Sequence, residues 1–428
     1  MTAPLPLDER ETREPAAREA DLMARLAQQV AWAQRESQAM AASLARVDAA
    51  HVDTRAALAR LPVTRKSELL ERQRAAREGG RANDDPFGGH ATIGWGATLA
   101  ASRRALRVFA SPGPLYEPEG PSPDYWRMGR ALRAAGFRAG DLAHNAFSYH
   151  FTPAASMMET GAHAIGCTVF PGGTGQTEQQ VQAMRDLAPA GYMGTPSFLK
   201  LILEKADEMG VALPSLVKAS VGAEAFPPSL RDWLLARGVA AYQSYGTADL
   251  GLVAYETASR EGLVVDEDVI VEIVRPGTGD PVAEGEVGEV VVTTLNRDYP
   301  LIRFATGDLS AVLPGPCPTG RTNLRIRGWL GRADQTTKVR GLFVHPSQIA
   351  EIVRRHAEVR KARLVVTGEM ANDRMALRVE VAGEPQDLAA RVAETIRDVT
   401  KLRGEVELCA PGSLPNDGKV IEDARQYR

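Results

Sequence analysis

The sequence predicts an α/β protein: a large N-terminal domain with parallel α/β subdomains and a small β-barrel-like part, plus a small C-terminal α+β domain. Three observations predict this. Between about residues 100 and 250, helical apolar spacing alternates with short strands, the pattern of a parallel sheet under covering helices. From about 265 to 330 the texture changes to short β-branched runs punctuated by Gly and Pro. After residue 334, helical and strand patterns alternate again in an α+β order. A chain of 428 residues is also too long for one ordinary core, so two or three domains are expected, and the change of pattern at 334 divides the chain into 1–333 and 334–428.

The elements follow in chain order. Residues 14–60 read as helix, with Leu22, Leu26 and Val30 spaced four apart on one face. No long heptad register accompanies them, so a packed N-terminal helix is expected and not a coiled coil. Glycines at 79–80 and 88–89 mark a turn-rich connector. A strand is expected over 141–149. The stretch 227–237 has Pro at a helix start, apolar Leu230, Trp233 and Leu234, then Gly238 as a stop. Residues 239–244 then form a strand running into Tyr245 and Gly246. Ligands of parallel sheets sit beyond the carboxyl ends of the strands, which is where these two residues would be. In the β-rich part, 269–274 alternates and 289–294 is β-branched. The C-terminal part reads as helix 346–356, strands 362–367 and 376–381, helix 385–402 and strand 405–409. The chain has no internal repeat and no low-complexity segment.

Composition excludes several classes. Apolar residues make up 44% and charged residues 25%, ordinary for a globular protein. Fifty-one basic residues against 54 acidic ones argue against whole-surface attraction to nucleic acid or anionic lipid. No apolar run approaches the roughly 20 residues that span a bilayer. The first 13 residues mix acid and base and lack a signal-peptide core. Cys167, Cys317 and Cys409 have no metal-ligand spacing and fit a reducing compartment, so a cytoplasmic location is expected. Only eight of the basic residues are lysine, which makes Lys338 and Lys419 stand out.

Three late signals occur in a fixed order. Thr306-Gly307-Asp308 comes first, at the end of a run beginning Tyr299-Pro300. Gly331-Arg332-Ala333-Asp334-Gln335-Thr336-Thr337-Lys338-Val339-Arg340-Gly341 follows, and Leu414-Pro415-Asn416-Asp417-Gly418-Lys419 closes the set. Upstream lie Gly222-Ala223-Glu224 and Gln243-Ser244-Tyr245-Gly246-Thr247-Ala248-Asp249. Taken singly, most of these also read as ordinary features. Tyr245 to Asp249 could be a strand-end turn with a solvated Asp, Gly222 to Glu224 a tight strand-to-loop passage, and a lone Lys419 solvated surface. A lone Thr306-Gly307-Asp308 is a common turn.

Together these motifs resemble the phenylacetate–CoA ligase family of the adenylate-forming superfamily. The match runs from about Leu61-Pro62 to the C-terminus and includes 134–145, Gly194-Thr195-Pro196-Ser197 and 341–349. The resemblance implies an acid–CoA ligase that uses ATP, Mg²⁺ and coenzyme A. A small aryl or short-chain carboxylic acid becomes an acyl adenylate, then acyl-CoA, with AMP and pyrophosphate released. The acid and CoA are the implied partners, nucleic acid and a membrane span are not, and a homodimer is left open. By resemblance Tyr245 packs on adenine, beside Gly222, Ala223, Glu224, Gly246 and Thr247. Asp249 serves Mg²⁺ and the α-phosphate, Asp308 grips the ribose, and Arg332 reaches ribose or phosphate with its planar fork. Asp334 is the implied hinge between the domains. Lys338, Arg340 and Gly341 belong to the loop used for thioester formation, and Lys419 bridges carboxylate and nucleotide during adenylation. Phe147, Tyr149, His150, Thr195 and Pro196 are the implied acid pocket, although His150 is equally readable as a structural residue.

The chain departs from the family pattern at three places. Asp249 stands where the family has Glu, and Ala248 replaces a hydroxyl that neighbouring Thr247 can supply. The phosphate loop, usually Ser/Thr/Gly-rich, is here Ala110-Ser111-Pro112-Gly113-Pro114-Leu115-Tyr116-Glu117-Pro118. Proline removes N–H donors and Glu117 adds an anion where a polyanion is expected. Two other readings therefore stand beside the ligase: adenylation with transfer to an amine or a carrier-protein thiol, and a nucleotide-binding relic without ligase activity.

Overall fold

The computed structural model describes residues 6–80, 85–96, 99–333, 337–340, 342–344, 346–368, 372–383, 386–415 and 420–425. The chain forms two compact units, Met1–Gly331 and Arg332–Arg428.

The first unit carries the α/β architecture expected of it. Its largest sheet runs in the spatial order Val312–Leu313, Arg325–Ile326, Leu263–Val265, Gly251–Glu256, Ala240–Thr247, Lys218–Val221, Gly191–Gly194, Leu142–Asn145, Thr168–Phe170. The five strands from Ala240–Thr247 to Thr168–Phe170 are mutually parallel. Helices Met128–Ala134, Ala154–Ala164, Thr177–Leu187, Pro196–Glu208 and Pro228–Ala236 alternate with them along the chain. Leu132, Phe137, Ala143, Ala155, Met158 and Met193 form the core on which this arrangement closes. The strand expected over 141–149 ends at Asn145, because Asn145 turns inward. Its Nδ2 donates to Ala155 O at 2.9 Å and its Oδ1 accepts from Phe147 N at 3.3 Å, which starts a loop.

The β-rich part is a second sheet in the order Thr64–Arg65, Phe304–Ser310, Gly288–Thr294, Val269–Val274. The last of these strands differs from a one-sided alternating strand in being buried on both faces. Val269, Val271 and Ile273 pack with Tyr299 and Phe304, while Ile270 packs with Leu22, Leu26 and Val30 of helix Pro15–Glu36. Glu272 fits there only because Arg303 Nε donates to it at 3.0 Å. The N-terminal helix is shorter than 14–60. Ser37 Oγ accepts from Met40 N and begins a new helix, and Asp48 and Thr54 cap two more short turns.

An ion network fastens the N-terminal segment to this unit. Glu11, 1% exposed, accepts from Tyr255 Oη at 3.1 Å, Arg130 Nη1 at 3.2 Å and Arg321 Nε. Removing one member of such a buried set strands the others, at a cost of about 3–5 kcal/mol. Glu11→Ala is therefore expected to lower the thermal midpoint by several degrees; a midpoint equal to that of the unaltered chain would refute the assignment.

The second unit has a sheet in the order Glu405–Cys409, Arg374–Val381, Val359–Thr367, Ile421–Asp423. Helices Pro346–Arg355 and Leu388–Thr400 bury Ile349, Ile352, Leu388, Val392 and Ile396 against it. A hairpin of Thr337–Val339 and Leu342–Val344 precedes them. No helix among the described residues is long and apolar enough to cross a membrane.

Candidate nucleotide and acyl-transfer site

Strand Ala240–Thr247 delivers Tyr245 to a cluster built with strand Phe304–Ser310. The Tyr245 hydroxyl lies 2.9 Å from Asp308 Oδ2 and 3.2 Å from Thr306 Oγ1. Trp329 Nε1 donates to Asp308 Oδ1 at 3.0 Å, and Asp308 N donates to Thr306 Oγ1 at 3.1 Å. An ionised carboxylate offers about four acceptor positions, so taking these two side-chain bonds does not by itself saturate Asp308. Gly246 is needed where it stands, since a Cβ there would lie 2.5 Å from Gly251 O. Thr247 Oγ1 accepts from Leu250 N at 3.1 Å, which fixes the hydroxyl while its O–H remains a donor.

The loop after strand Lys218–Val221 holds Gly222, Ala223 and Glu224. Ala223 has φ of +66°, a left-handed conformation that costs an L-residue about 1–2 kcal/mol. Glu224 Oε1 accepts from Ser197 N at 2.7 Å, which ties this loop to the first turn of helix Pro196–Glu208. Thr195 caps the same helix, its Oγ1 accepting from Phe198 N at 3.3 Å, and Pro196 occupies the first helical position. Glu224, Thr195 and Pro196 thus form one structural knot, with the carboxylate at a helix N-terminus where the backbone dipoles favour it.

The other acid-pocket residues are spread out. Phe147 is buried. Tyr149 is 39% exposed; its hydroxyl donates to Glu159 at 2.7 Å and accepts from Asn145 Nδ2 at 2.9 Å. Burial and the Glu159 carboxylate raise the Tyr149 phenol above its ordinary range. His150 is exposed, and its ring carries none of the loop's hydrogen bonds given above.

The segment matching the phosphate loop is an antiparallel hairpin, Arg107–Ser111 paired with Leu115–Glu119. Its tip packs so tightly on helix Lys66–Glu78 that a Cβ on Gly113 would lie 2.6 Å from Leu70 Cδ2. Gln73, fully buried, bonds both N and O of Tyr116 at 2.9 and 2.8 Å. Of the backbone donors that would cradle phosphate, two are replaced by proline, Tyr116 N is taken by Gln73 and Ala110 N by Phe151 O. In their place stands a charged cluster. Lys66 Nζ donates to Ser111 Oγ at 3.0 Å and to Asp249 Oδ2 at 3.3 Å, and Ser111 Oγ donates to Glu117. Glu117 is 0% exposed; burial first, then the Asp249 carboxylate, push its pKa up to about 8. Asp249 Oδ1 is buried with no hydrogen-bond partner among the described residues. A hard, unpartnered oxygen of this kind suits Mg²⁺, which takes one or two carboxylates and keeps several waters or phosphate oxygens. Among the described residues no three His, Cys, Asp or Glu side chains gather as a metal cluster.

Lys66 and Trp329 were not singled out by sequence reasoning. Lys66 had a signal, as one of eight lysines in an arginine-rich chain; Trp329 had none beyond its place just before the hinge motif. In the second unit, Arg332 is its first residue and half-buried. Lys338 lies in the hairpin strand Thr337–Val339. Arg340 is at its turn with φ of +47°, its N–H donating to Asp373 Oδ2 at 2.9 Å. Asp334, Gly341 and Lys419 lie outside the described residues.

Residues 126–296 match the AMP-binding enzyme family and residues 341–425 match the AMP-binding enzyme C-terminal domain. The phenylacetate-coenzyme A ligase of Aromatoleum evansii is 31% identical over 311 residues, covering 68% of this chain and 70% of that protein. That of Thermus thermophilus is 33% identical over 318 residues, covering 67% and 71%. Among solved structures, 2-hydroxyisobutyryl-CoA ligase in complex with 2-HIB-AMP and CoA aligns with a TM-score of 0.81 at 24% identity, covering 98% of this chain and 92% of that one. The fold, the two matched regions and the relatives agree: this chain is a phenylacetate–CoA ligase-like member of the AMP-binding, adenylate-forming enzyme family.

Proposed function

We propose that this chain activates a small aryl or short-chain carboxylic acid with ATP and passes the acyl group to coenzyme A. The observation that carries the reading is the Tyr245–Asp308–Trp329 cluster, in which a buried carboxylate is held in place between strands Ala240–Thr247 and Phe304–Ser310 of the two sheets. It is supported by relatives that are phenylacetate-coenzyme A ligases. In the first half-reaction a carboxylate oxygen of the acid attacks the α-phosphorus of ATP, and pyrophosphate leaves. In the second, the coenzyme A thiol gives up its proton, sulfur attacks the acyl carbonyl, and AMP leaves.

The residues divide the work by chemistry. The Tyr245 ring offers an apolar face for adenine, and its hydroxyl is held by Asp308 and Thr306. Asp308 accepts from the ribose hydroxyls. The Thr247 O–H can donate to the α-phosphate in place of the hydroxyl that Ala248 lacks. Mg²⁺, when bound, would neutralise phosphate charge, and Asp249 would hold it. Lys419 is assigned to the adenylation step and Lys338, Arg340 and Gly341 to the thioester step, with Asp334 as the pivot and Arg332 on the nucleotide; these assignments rest on the family motifs.

The test is a panel of carboxylic acids with ATP, Mg²⁺ and coenzyme A, reading AMP, pyrophosphate and acyl-CoA by mass. Equal amounts of all three products are expected with at least one compact acid. AMP released only when an amine or a carrier-protein thiol replaces coenzyme A would move the reading to that acceptor. ATP left intact with every acid would leave a nucleotide-binding relic.

A further inference from the structure

Three buried oxygens in one neighbourhood have no hydrogen-bond partner among the described residues: Glu117 Oε2, Asp249 Oδ1 and Tyr299 Oη. All belong to side chains almost sealed from solvent, with Glu117 0%, Tyr299 2% and Asp249 6% exposed. Glu117 and Asp249 flank one Ser–Lys pair, and Tyr299 lies within electrostatic reach of both. Lys66 Nζ reaches Ser111 Oγ at 3.0 Å and Asp249 Oδ2 at 3.3 Å, and the same Ser111 hydroxyl donates to Glu117. Leaving two carboxylate oxygens and a phenol buried and unpaired is unfavourable, most of all for a charged group.

The chemistry decides the sign of charge that this neighbourhood suits. An anion meets two carboxylates, while Pro112 and Pro114 offer no N–H and Ala110 N and Tyr116 N already donate to Phe151 O and Gln73. A cation meets two carboxylates, a serine hydroxyl and a phenol hydroxyl, all hard oxygen donors. The Lys66 ammonium already answers part of this demand, but its side chain is 37% exposed and flexible, so it can withdraw to solvent without disturbing the core.

We propose that Glu117 and Asp249 jointly hold a divalent cation, and that the Lys66 ammonium is the placeholder which the cation displaces. Glu117, an odd residue for a phosphate loop, becomes intelligible as a metal ligand contributed by the hairpin that replaced the loop. The proposal rests on the assignment of Asp249 to Mg²⁺ in the ligase reading and adds Glu117 and Lys66 to it; metal binding measured without nucleotide lets the two fail independently.

The test titrates Mn²⁺ into the full chain without nucleotide, follows free Mn²⁺ by electron paramagnetic resonance, and competes it with Mg²⁺. One saturable site is expected in the unaltered protein. Glu117→Gln should weaken it by about tenfold or more, the scale on which metal-site substitutions act. Lys66→Met should tighten it by roughly as much, since it removes the competing charge. A merely structural lysine staple predicts the opposite sign, because Lys66→Met would then disorder the pocket. Thermal unfolding of both variants, with and without Mg²⁺, confirms that they are folded. Absence of Mn²⁺ uptake by the unaltered chain, equal affinity in Glu117→Gln, or weaker affinity in folded Lys66→Met would each overturn the proposal. If the acid panel fails while Mn²⁺ binds as described, the ligase reading falls and the metal site stands.

Discussion

Asp249→Asn is expected to reduce pyrophosphate release by about a hundred- to a thousandfold while leaving the thermal midpoint unchanged or slightly raised. The loss follows from what a carboxylate does beside a reacting phosphate. An oriented charge in a water-poor site is worth about 3–4 kcal/mol to a transition state, and the amide keeps the shape without the charge. The stability term runs the other way. The Asp249–Lys66 pair spans 3.3 Å, but the lysine is 37% exposed, so its contribution is about 1 kcal/mol or less. Against that stands repulsion between two buried acids, the same repulsion that helps raise Glu117. Removing one of them relieves it, and Lys66 keeps Ser111 as a partner. Pyrophosphate release and thermal unfolding measured on the same preparation separate the two terms. A midpoint that falls in step with activity would show that Asp249 holds the fold together and would remove it from the chemistry.

How much of this was legible beforehand depends on the range of the interaction concerned. The strands Val269–Val274 and Glu405–Cys409 follow directly from β-branched and alternating runs, because their pattern is local. Apolar spacing over 14–60 does not reveal where the N-terminal helix ends, because the breaks are made by Ser37, Asp48 and Thr54, whose side chains offer the backbone a competing bond. Burial of both faces of Val269–Val274 depends on a helix more than 200 residues upstream, which no window on the strand contains. The same holds for Glu11, whose partners Arg130 and Arg321 lie 119 and 310 residues away.

The candidate site divides along the same line. Tyr245 and Asp308 were visible because each sits in a recognisable motif at a strand end. Their direct bond, across 63 residues, was not, and neither was the Trp329 bond on the other carboxylate oxygen. Ser111 and Glu117 were seen only as departures from a loop. Their meaning needs the hairpin, which pairs Ser111 with Leu115 and carries Glu117 back beside Ser111 Oγ, and it needs Lys66, which arrives from another element. Glu224 and Thr195, read as site residues on the resemblance, acquire local duties at a helix start that composition could not reveal.

Asp308→Ala is expected to weaken AMP binding by about a hundredfold or more. Each hydrogen bond from a ribose hydroxyl to an ionised, buried carboxylate contributes about 1.5–3 kcal/mol, so two of them correspond to 10² or greater in affinity. The truncation also removes the acceptor that the Tyr245 hydroxyl and the Trp329 indole N–H now share, at 2.9 and 3.0 Å. A loss of affinity could therefore come from a direct contact or from a disordered Tyr245. Trp329→Phe separates them, since it removes one donor to Asp308 and leaves the carboxylate in place. If Asp308 acts by contact, calorimetry should show Trp329→Phe binding AMP within about tenfold of the unaltered chain, the size of one neutral-donor bond. If Asp308 acts only by anchoring its neighbours, the two variants should lose affinity together. AMP affinity preserved in Asp308→Ala would mean that the sugar is held elsewhere, and the nucleotide site would have to be sought away from the Tyr245 strand end.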